Sequence, residues 1–111
     1  MINFKGKKIL ITGATGGIGN ALVKKFLSLD GSVLATGTNT EKLDALKKEF
    51  PKLNVLKFDI SDHSKIEDFI ENVTSQLTGL DVLVNNAGIT MDNLSLRMKD
   101  EEWKKVIDIN L

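Results

Sequence analysis

The chain has 111 residues, enough for one domain, and its 41% hydrophobic and 27% charged content is typical of a globular protein. Fifteen basic and fifteen acidic side chains cancel, so charge gives no reason to bind nucleic acid or an anionic membrane. The absence of cysteine excludes disulfides and Cys-based zinc sites, and we expect no metal centre. There is no tyrosine, and the single histidine, His63, leaves few groups for acid–base catalysis.

No apolar run reaches the roughly 20 residues that a membrane helix needs. The first residues, Met1 to Lys8, also lack the apolar segment of a signal peptide. We therefore predict a cytoplasmic protein that has no membrane partner, in agreement with the lack of cysteine.

Alternating patterns predict four strands, at Lys7–Thr12, Ser32–Thr36, Leu53–Phe58 and Asp81–Asn85. Between them we predict a helix over Gly17–Leu29 with Gly31 in a left-handed conformation after it, and a second helix that Thr40 caps and Pro51 ends. The third helix carries an apolar stripe and begins at a Ser64–Glu67 capping box, or at Ser61 or Asp62. The stripe consists of Ile66, Phe69, Ile70, Val73 and Leu77.

A last helix is predicted from about Asp100, with Trp103, Val106, Ile107 and Leu111 in phase. Strands that alternate with helices imply right-handed crossovers and a doubly wound α/β fold: about four parallel strands with flanking helices, in three α/β/α layers. The fourth strand would then be an uncovered edge, and the last helix has no stop signal. We therefore interpret residues 1–111 as the N-terminal portion of a single larger domain, interrupted in its last helix.

A glycine-rich turn joins the first strand to the first helix. Its spacing is Thr12-Gly13-x-x-x-Gly17-x-Gly19, which is neither GxGxxG nor a P-loop. A helix N-terminus offers unpaired N–H groups and partial positive charge, and glycines let an anion approach the backbone. The turn therefore predicts a phosphate-binding loop, the alternative being a tight turn whose glycines are incidental.

This turn, together with Asn85-Asn86-Ala87-Gly88, resembles the short-chain dehydrogenase/reductase family, whose fold is a Rossmann-type NAD(P)-binding domain. Residues 88–103 look more specifically like the bacterial 3-oxoacyl-[acyl-carrier-protein] reductases of fatty-acid synthesis. The resemblance implies that Asp59 reaches the adenine amino group, although Asp59 alternatively caps the next turn. It gives Asn85 a bracing role and Asn86 a cofactor contact. The implied cofactor-binding residues are Gly13, Ala14, Thr15, Gly16, Gly17, Ile18, Gly19, Asp59, Ile60, Asn86, Ala87 and Gly88.

The end of the second strand favours NADP(H) over NAD. An acid at that position would bind the ribose 2′-hydroxyl of NAD and repel a 2′-phosphate, but no acid occurs here before Glu41. Thr38, and Asn39 beside it, can donate hydrogen bonds to the phosphate; the alternative is that both are only turn and cap residues. Where NADP-using members of the family often carry a basic residue, this chain has Gly16.

The resemblance further implies reduction of an acyl-carrier-protein-linked 3-oxoacyl substrate by NADPH in a homotetramer. Asn110 matches the family's active-site asparagine, which interrupts the last helix and holds a water in a proton relay; the alternative is an ordinary helix asparagine. The family's proton donor is the tyrosine of Tyr-x-x-x-Lys, absent here, so we predict that the 111 residues alone are inactive. Alternative functions are another short-chain reductase with a different carbonyl substrate, or a non-catalytic dinucleotide-binding module.

Overall fold

The computed structural model describes residues 3–59, 61–86 and 106–110, with His63 and Asn110 described by their backbone alone. The helices are α1 (Gly17–Ser28), α2 (Thr40–Glu49) and α3 (Ile66–Leu77), and a 3-10 turn at His63–Lys65 precedes α3. The strands are β1 (Lys8–Thr12), β2 (Ser32–Gly37), β3 (Asn54–Lys57), β4 (Val82–Asn85) and β5 (Ile107–Asn110). No helix in these ranges is long and apolar enough to cross a membrane.

The strands form one parallel sheet in the order β3-β2-β1-β4-β5. The chain runs outward from β1 through β2 to β3, and then returns through α3 to place β4 on the other side of β1. The strand order therefore reverses between β1 and β4. In doubly wound sheets a ligand crevice lies at this switch point, beyond the carboxyl ends of the strands. The predicted α/β fold class is confirmed.

Each face of the sheet has its own apolar core, because successive strand residues point to opposite faces. Ile9 and Ile11 of β1 pack with Val23 and Phe26 of α1, in a cluster that also includes Leu46 of α2. On the opposite face Leu10, Leu34 and Leu83 pack against α3. The predicted stripe of α3 is buried in full: Ile66, Phe69, Ile70, Val73 and Leu77.

Three predicted helix ends are wrong. Asn39, not Thr40, caps α2, since its Oδ1 accepts the Lys42 N–H at 3.0 Å. The Ser64–Glu67 capping box does not form, because the Ser64 hydroxyl donates to Asp62 at 2.6 Å and α3 begins without a side-chain cap. The left-handed residue after α1 is Asp30 (φ 67°) rather than Gly31.

The prediction of a helix over the final residues is wrong for Ile107–Asn110, which form β5. Pairing with β4 explains the difference: β5 lies parallel to it, with Val82 opposite Ile107 and Asn85 opposite Asn110. This pairing supplies hydrogen-bond partners to an edge that the sequence analysis left uncovered. The sheet therefore has five strands rather than about four. The predicted helix start at Asp100, with Trp103 and Leu111, lies outside the described residues.

Candidate cofactor site at the carboxyl ends of the strands

The glycine-rich loop is fixed to the end of β2. Gly13 has a φ of 61°, a conformation that glycine adopts without strain, and it turns the chain away from β1. The next residue, Ala14, is fully buried, and its N–H donates to the carbonyl oxygen of Thr36 at 3.0 Å. The loop therefore starts from a backbone position that two neighbouring strands define.

The loop's other glycines fall into two groups. A Cβ on Gly19 would lie 2.5 Å from the Cα of Ala14, so packing of α1 on the loop requires this glycine. A Cβ on Gly16 or Gly17 would meet nothing within 4 Å, and neither residue has a positive φ. The fold therefore does not explain Gly16 and Gly17, whereas a ligand that lies against the backbone would.

The N-terminus of α1 is suited to an anion. Gly16 is the N-cap residue, no side chain caps the helix, and its first turn has no acidic residue. Its first N–H groups therefore keep their donor capacity and their partial positive charge. Ile18, in the same turn, is 64% exposed, an apolar surface next to the glycines.

Asn86 connects β4 to the glycine loop. Its backbone N–H donates to the Thr12 hydroxyl at 3.2 Å, and its side-chain Nδ2 donates to the Gly13 carbonyl at 3.0 Å. Asn85 is 5% exposed, and its Oδ1 lies 3.4 Å from the Thr12 hydroxyl. The bracing role predicted for Asn85 is seen in this contact with Thr12, and Asn86 braces the glycine loop as well. Ala87 and Gly88 lie outside the described residues.

The end of β2 has no negative charge until the first turn of α2, where Glu41 stands. Gly37 is buried, and the exposed residues Thr38 and Asn39 follow it. Sequence reasoning missed Gly37, although a glycine at the end of a strand commonly marks a close approach. Here Thr15 of the glycine loop lies over it.

Asp59 follows β3 and forms the turn that the sequence analysis gave as its alternative role. Its Oδ1 accepts the Ser61 hydroxyl at 2.7 Å and the Ser61 N–H at 2.9 Å. These bonds hold the pKa of Asp59 below its usual range, the hydroxyl contributing most. Ile60 lies outside the described residues. Asn110, at the end of β5, is separated from β1 by β4.

A glycine loop without side chains at residues 16 and 17, a helix start without a cap, and polar residues at the strand ends therefore meet at the switch point of a parallel sheet. The sequence profile of the short chain dehydrogenase family matches residues 7–111, and the chain belongs to that family.

Within the family, the chain is similar to proteins named 3-oxoacyl-[acyl-carrier-protein] reductase FabG. It is 42% identical to that of Rickettsia bellii (strain RML369-C) over 111 residues, which cover 100% of this chain and 45% of that protein. For Escherichia coli (strain K12) the identity is 39%, over 99% of this chain and 46% of the relative. The chain thus spans less than half the length of these relatives. Among solved structures, a hydroxysteroid dehydrogenase from Escherichia coli superposes with a TM-score of 0.72 at 27% identity, over 79% of this chain and 38% of that one.

Proposed function

We propose that this chain supplies the NADP(H)-binding part of a reductase that converts a 3-oxoacyl-[acyl-carrier-protein] thioester to its 3-hydroxyacyl form in fatty-acid biosynthesis. One observation carries the proposal: nothing in the fold requires glycine at Gly16 and Gly17. Both residues stand at a helix start that has no side-chain cap and no acidic residue. The relatives named above support the substrate class.

The loop residues Gly13 to Gly19 hold the cofactor's pyrophosphate through backbone N–H groups, and Ile18 offers an apolar contact beside them. When bound, NADPH supplies the hydride for reduction of the ketone. Asn86 holds the loop in place through its hydrogen bond to the Gly13 carbonyl. We assign Ala87 and Gly88 to cofactor contact as well. The Asp59 carboxylate accepts a hydrogen bond from the adenine amino group, and the backbone of Ile60 assists in binding the adenine.

The preference for NADP(H) follows from the end of β2. Thr38 is exposed there, and the first carboxylate, Glu41, belongs to the first turn of the following helix. A 2′-phosphate at this position meets hydroxyl and amide donors before it meets a negative charge.

The proton for the developing alkoxide comes from residues outside these 111, since the chain has no tyrosine. We assign Asn110 to a water in the proton relay, and we assign the remaining chemistry to the part of the relatives that this chain does not match. The isolated 111 residues therefore have no reductase activity. The complete enzyme is a cytoplasmic homotetramer.

A second candidate is a short-chain reductase that acts on a different carbonyl or alcohol. The structural likeness to a hydroxysteroid dehydrogenase favours it, because that protein has the same fold. A dinucleotide-binding module without catalysis would bind NADP(H) equally well but would not turn over any carbonyl.

Dinucleotide binding and turnover test these alternatives in two steps. Titration of the purified protein with NADPH should quench its fluorescence and saturate, with weaker binding of NADH. A protein of the relatives' length that contains these 111 residues should oxidise NADPH with an acetoacetyl thioester and leave a steroid ketone unreduced. Turnover of the steroid ketone alone would select the second candidate, and saturable binding without any turnover would select the module. A Gly17→Asp variant is the control for binding at the loop.

A further inference from the structure

A second cavity lies at the opposite edge of the sheet from the glycine loop. It has a volume of about 520 Å³ and is formed where α1 and α2 end and where β2 and β3 begin. This volume is within the range of small-molecule sites, about 300–1,000 Å³. None of the described residues that line it belongs to the candidate cofactor site. The cavity therefore needs an explanation of its own.

One wall of the cavity is apolar and is fixed to the core. Leu27 of α1 and Phe50, which follows α2, are half-buried, and both pack against the buried cluster on this face of the sheet. Pro51 extends the apolar surface to the exposed rim. Because core packing holds Leu27 and Phe50, this wall is formed without a ligand and offers a surface for a hydrocarbon or aromatic group.

Polar side chains in the cavity have no partners in the part of the chain that the structure describes. Ser32 and Asn54, at the starts of β2 and β3, are half-buried, and neither side chain makes a hydrogen bond there. Asp30 and Glu49, at the ends of α1 and α2, are exposed, and neither carboxylate forms an ion pair with a described residue. These four groups remain available to orient a ligand beside the apolar wall.

The charges at the cavity favour a positive ligand. The carboxyl-terminal ends of two helices meet there, and each carries partial negative charge on its last carbonyl groups. In α2 the carbonyl of Lys47 lacks its usual donor four residues on, because that residue is Pro51, which has no N–H. The described lining includes two carboxylates, Asp30 and Glu49, and one ammonium group, that of Lys52. Lys47 is not part of this lining, and its ammonium group donates to the carbonyls of Pro51 and Leu53.

We propose that this cavity is a binding site for a small organic cation, a primary ammonium group on a short aromatic or hydrocarbon body. The carboxylates of Asp30 and Glu49 attract the ammonium group, and the hydroxyl of Ser32 and the amide oxygen of Asn54 accept hydrogen bonds from it. An ammonium group has three donors and no acceptor, which matches a cavity that is rich in acceptors without partners. The body of the ligand packs on the apolar wall. The site is separate from the cofactor site and does not depend on the proposed function.

A pair of probes that differ only in charge tests the inference. 2-Phenylethylammonium combines a primary ammonium group with an aromatic body, and 2-phenylethanol has the same body without the charge. Binding is measured by ligand-observed NMR on a protein of the relatives' length that contains these 111 residues. We expect the ammonium probe to saturate with a dissociation constant of about 1 mM and the alcohol to bind at least about fivefold more weakly.

Three substitutions assign this difference to the cavity. Asp30→Asn and Glu49→Gln each remove one carboxylate and keep its shape, and asparagine tolerates the left-handed backbone at residue 30 (φ 67°). Each variant should bind the ammonium probe about threefold more weakly and bind the alcohol as the wild type does. Lys52→Gln is the matched control, since it removes a positive charge from the same lining and should tighten binding by up to about twofold. The Tm and the NADPH affinity of each variant are measured alongside.

Equal binding of the two probes would overturn the inference, because an apolar cleft would then account for all of the binding. Displacement of the ammonium probe by NADPH would do the same, since it would assign the probe to the cofactor crevice. A wild-type protein that binds NADPH but not the ammonium probe would remove this inference and leave the proposed function in place, and the converse result would remove the proposed function alone. If Asp30→Asn lowers the Tm, Glu49→Gln decides, because glutamine and glutamate have similar helix propensity.

Discussion

Helices α1 and α2 both begin at the carboxyl end of a strand, and their first turns differ in every feature that concerns charge. The start of α2 is closed: Asn39 caps it, and Glu41 places a carboxylate in its first turn. The start of α1 is open, with Gly16 as N-cap, no side-chain cap and no acidic residue. If α1 needed only to be stable, a side-chain cap like that of α2 would be expected at its N-terminus, since such a cap contributes about 1 kcal/mol. The open start thus gives up stability and retains capacity for an anion.

The three glycines at the start of α1 differ in the same respect: the fold requires one of them and does not require the other two. Gly19 touches the backbone of Ala14, whereas Gly16 and Gly17 face open space. Substitution by alanine can therefore separate the requirements of the fold from those of the ligand.

The largest expected effect comes from Gly19→Ala. Its Cβ would lie 2.5 Å from the Cα of Ala14, a backbone atom that moves only with the loop. We expect the free energy of unfolding to fall by about 3 kcal/mol, the upper end for an overpacked site. Gly17→Ala should leave it unchanged or raise it by up to about 0.5 kcal/mol, because alanine is the better helix former. Urea unfolding of both variants measures the difference.

Dinucleotide binding provides the second half of this comparison. Gly17→Ala should weaken NADPH binding at least about tenfold although the protein is as stable as the wild type. A Gly17→Ala variant with wild-type affinity would contradict the assignment of Gly17 to the ligand. Equal stability of Gly19→Ala and Gly17→Ala would contradict the packing that separates the two glycines.

A smaller effect on stability is expected when the open helix start is closed by a charge. Gly16→Asp adds a cap and a favourable interaction with the helix dipole, so the free energy of unfolding should rise by about 0.5 kcal/mol. Binding of both NADP⁺ and NAD⁺ should weaken, because the carboxylate competes for the N–H groups and repels the pyrophosphate. Asn39→Asp makes a corresponding change at α2, where the cap is already present. It should raise the free energy of unfolding by only about 0.3 kcal/mol, through the helix dipole, and weaken NADP⁺ alone.

Gly16→Asn is the matched control, since it has the shape of Asp without its charge. It should bind dinucleotides more tightly than Gly16→Asp, and the difference should shrink with added salt. If Asn39→Asp weakens NADP⁺ and NAD⁺ equally, the 2′-phosphate does not lie near the start of α2.

The contrast also shows what the sequence could predict. The first four strands and α3 are correct because their evidence is local: short β-branched runs, and a stripe at helical spacing that is buried from Ile66 to Leu77. The glycine-rich loop was predicted for the same reason, since its spacing and its place between strand and helix are contiguous in the chain.

The errors and omissions depend on partners distant in the chain. Ile107–Asn110 has a sequence compatible with helix, and its strand conformation comes from pairing with β4. The bond from Asn86 to Gly13 joins residues 73 positions apart. The contact between Thr15 and Gly37 depends on the height of a loop over a neighbouring strand. None of these leaves a periodic signal, so only the folded arrangement identifies them.

The smallest expected effect concerns Asp59, whose Oδ1 accepts both bonds from Ser61. Ser61→Ala removes the hydroxyl bond, the larger cause of the lowered pKa, so the pKa of Asp59 should rise toward its ordinary value of 3.8. A lowered folded-state pKa stabilises the fold above the unfolded-state pKa, and this contribution is lost as the pH falls through the folded-state pKa. The stability difference between wild type and Ser61→Ala should therefore exist at neutral pH and vanish in strong acid. NMR titration of the Asp59 carboxyl carbon measures the shift directly.

Both bonds from Ser61 use Oδ1 of Asp59, so Oδ2 has no partner among the described residues and can accept a bond from the cofactor. Ser61→Ala keeps this oxygen and should therefore bind NADPH more tightly than Asp59→Asn. If Asp59→Asn binds NADPH more tightly, Asp59 serves its turn alone.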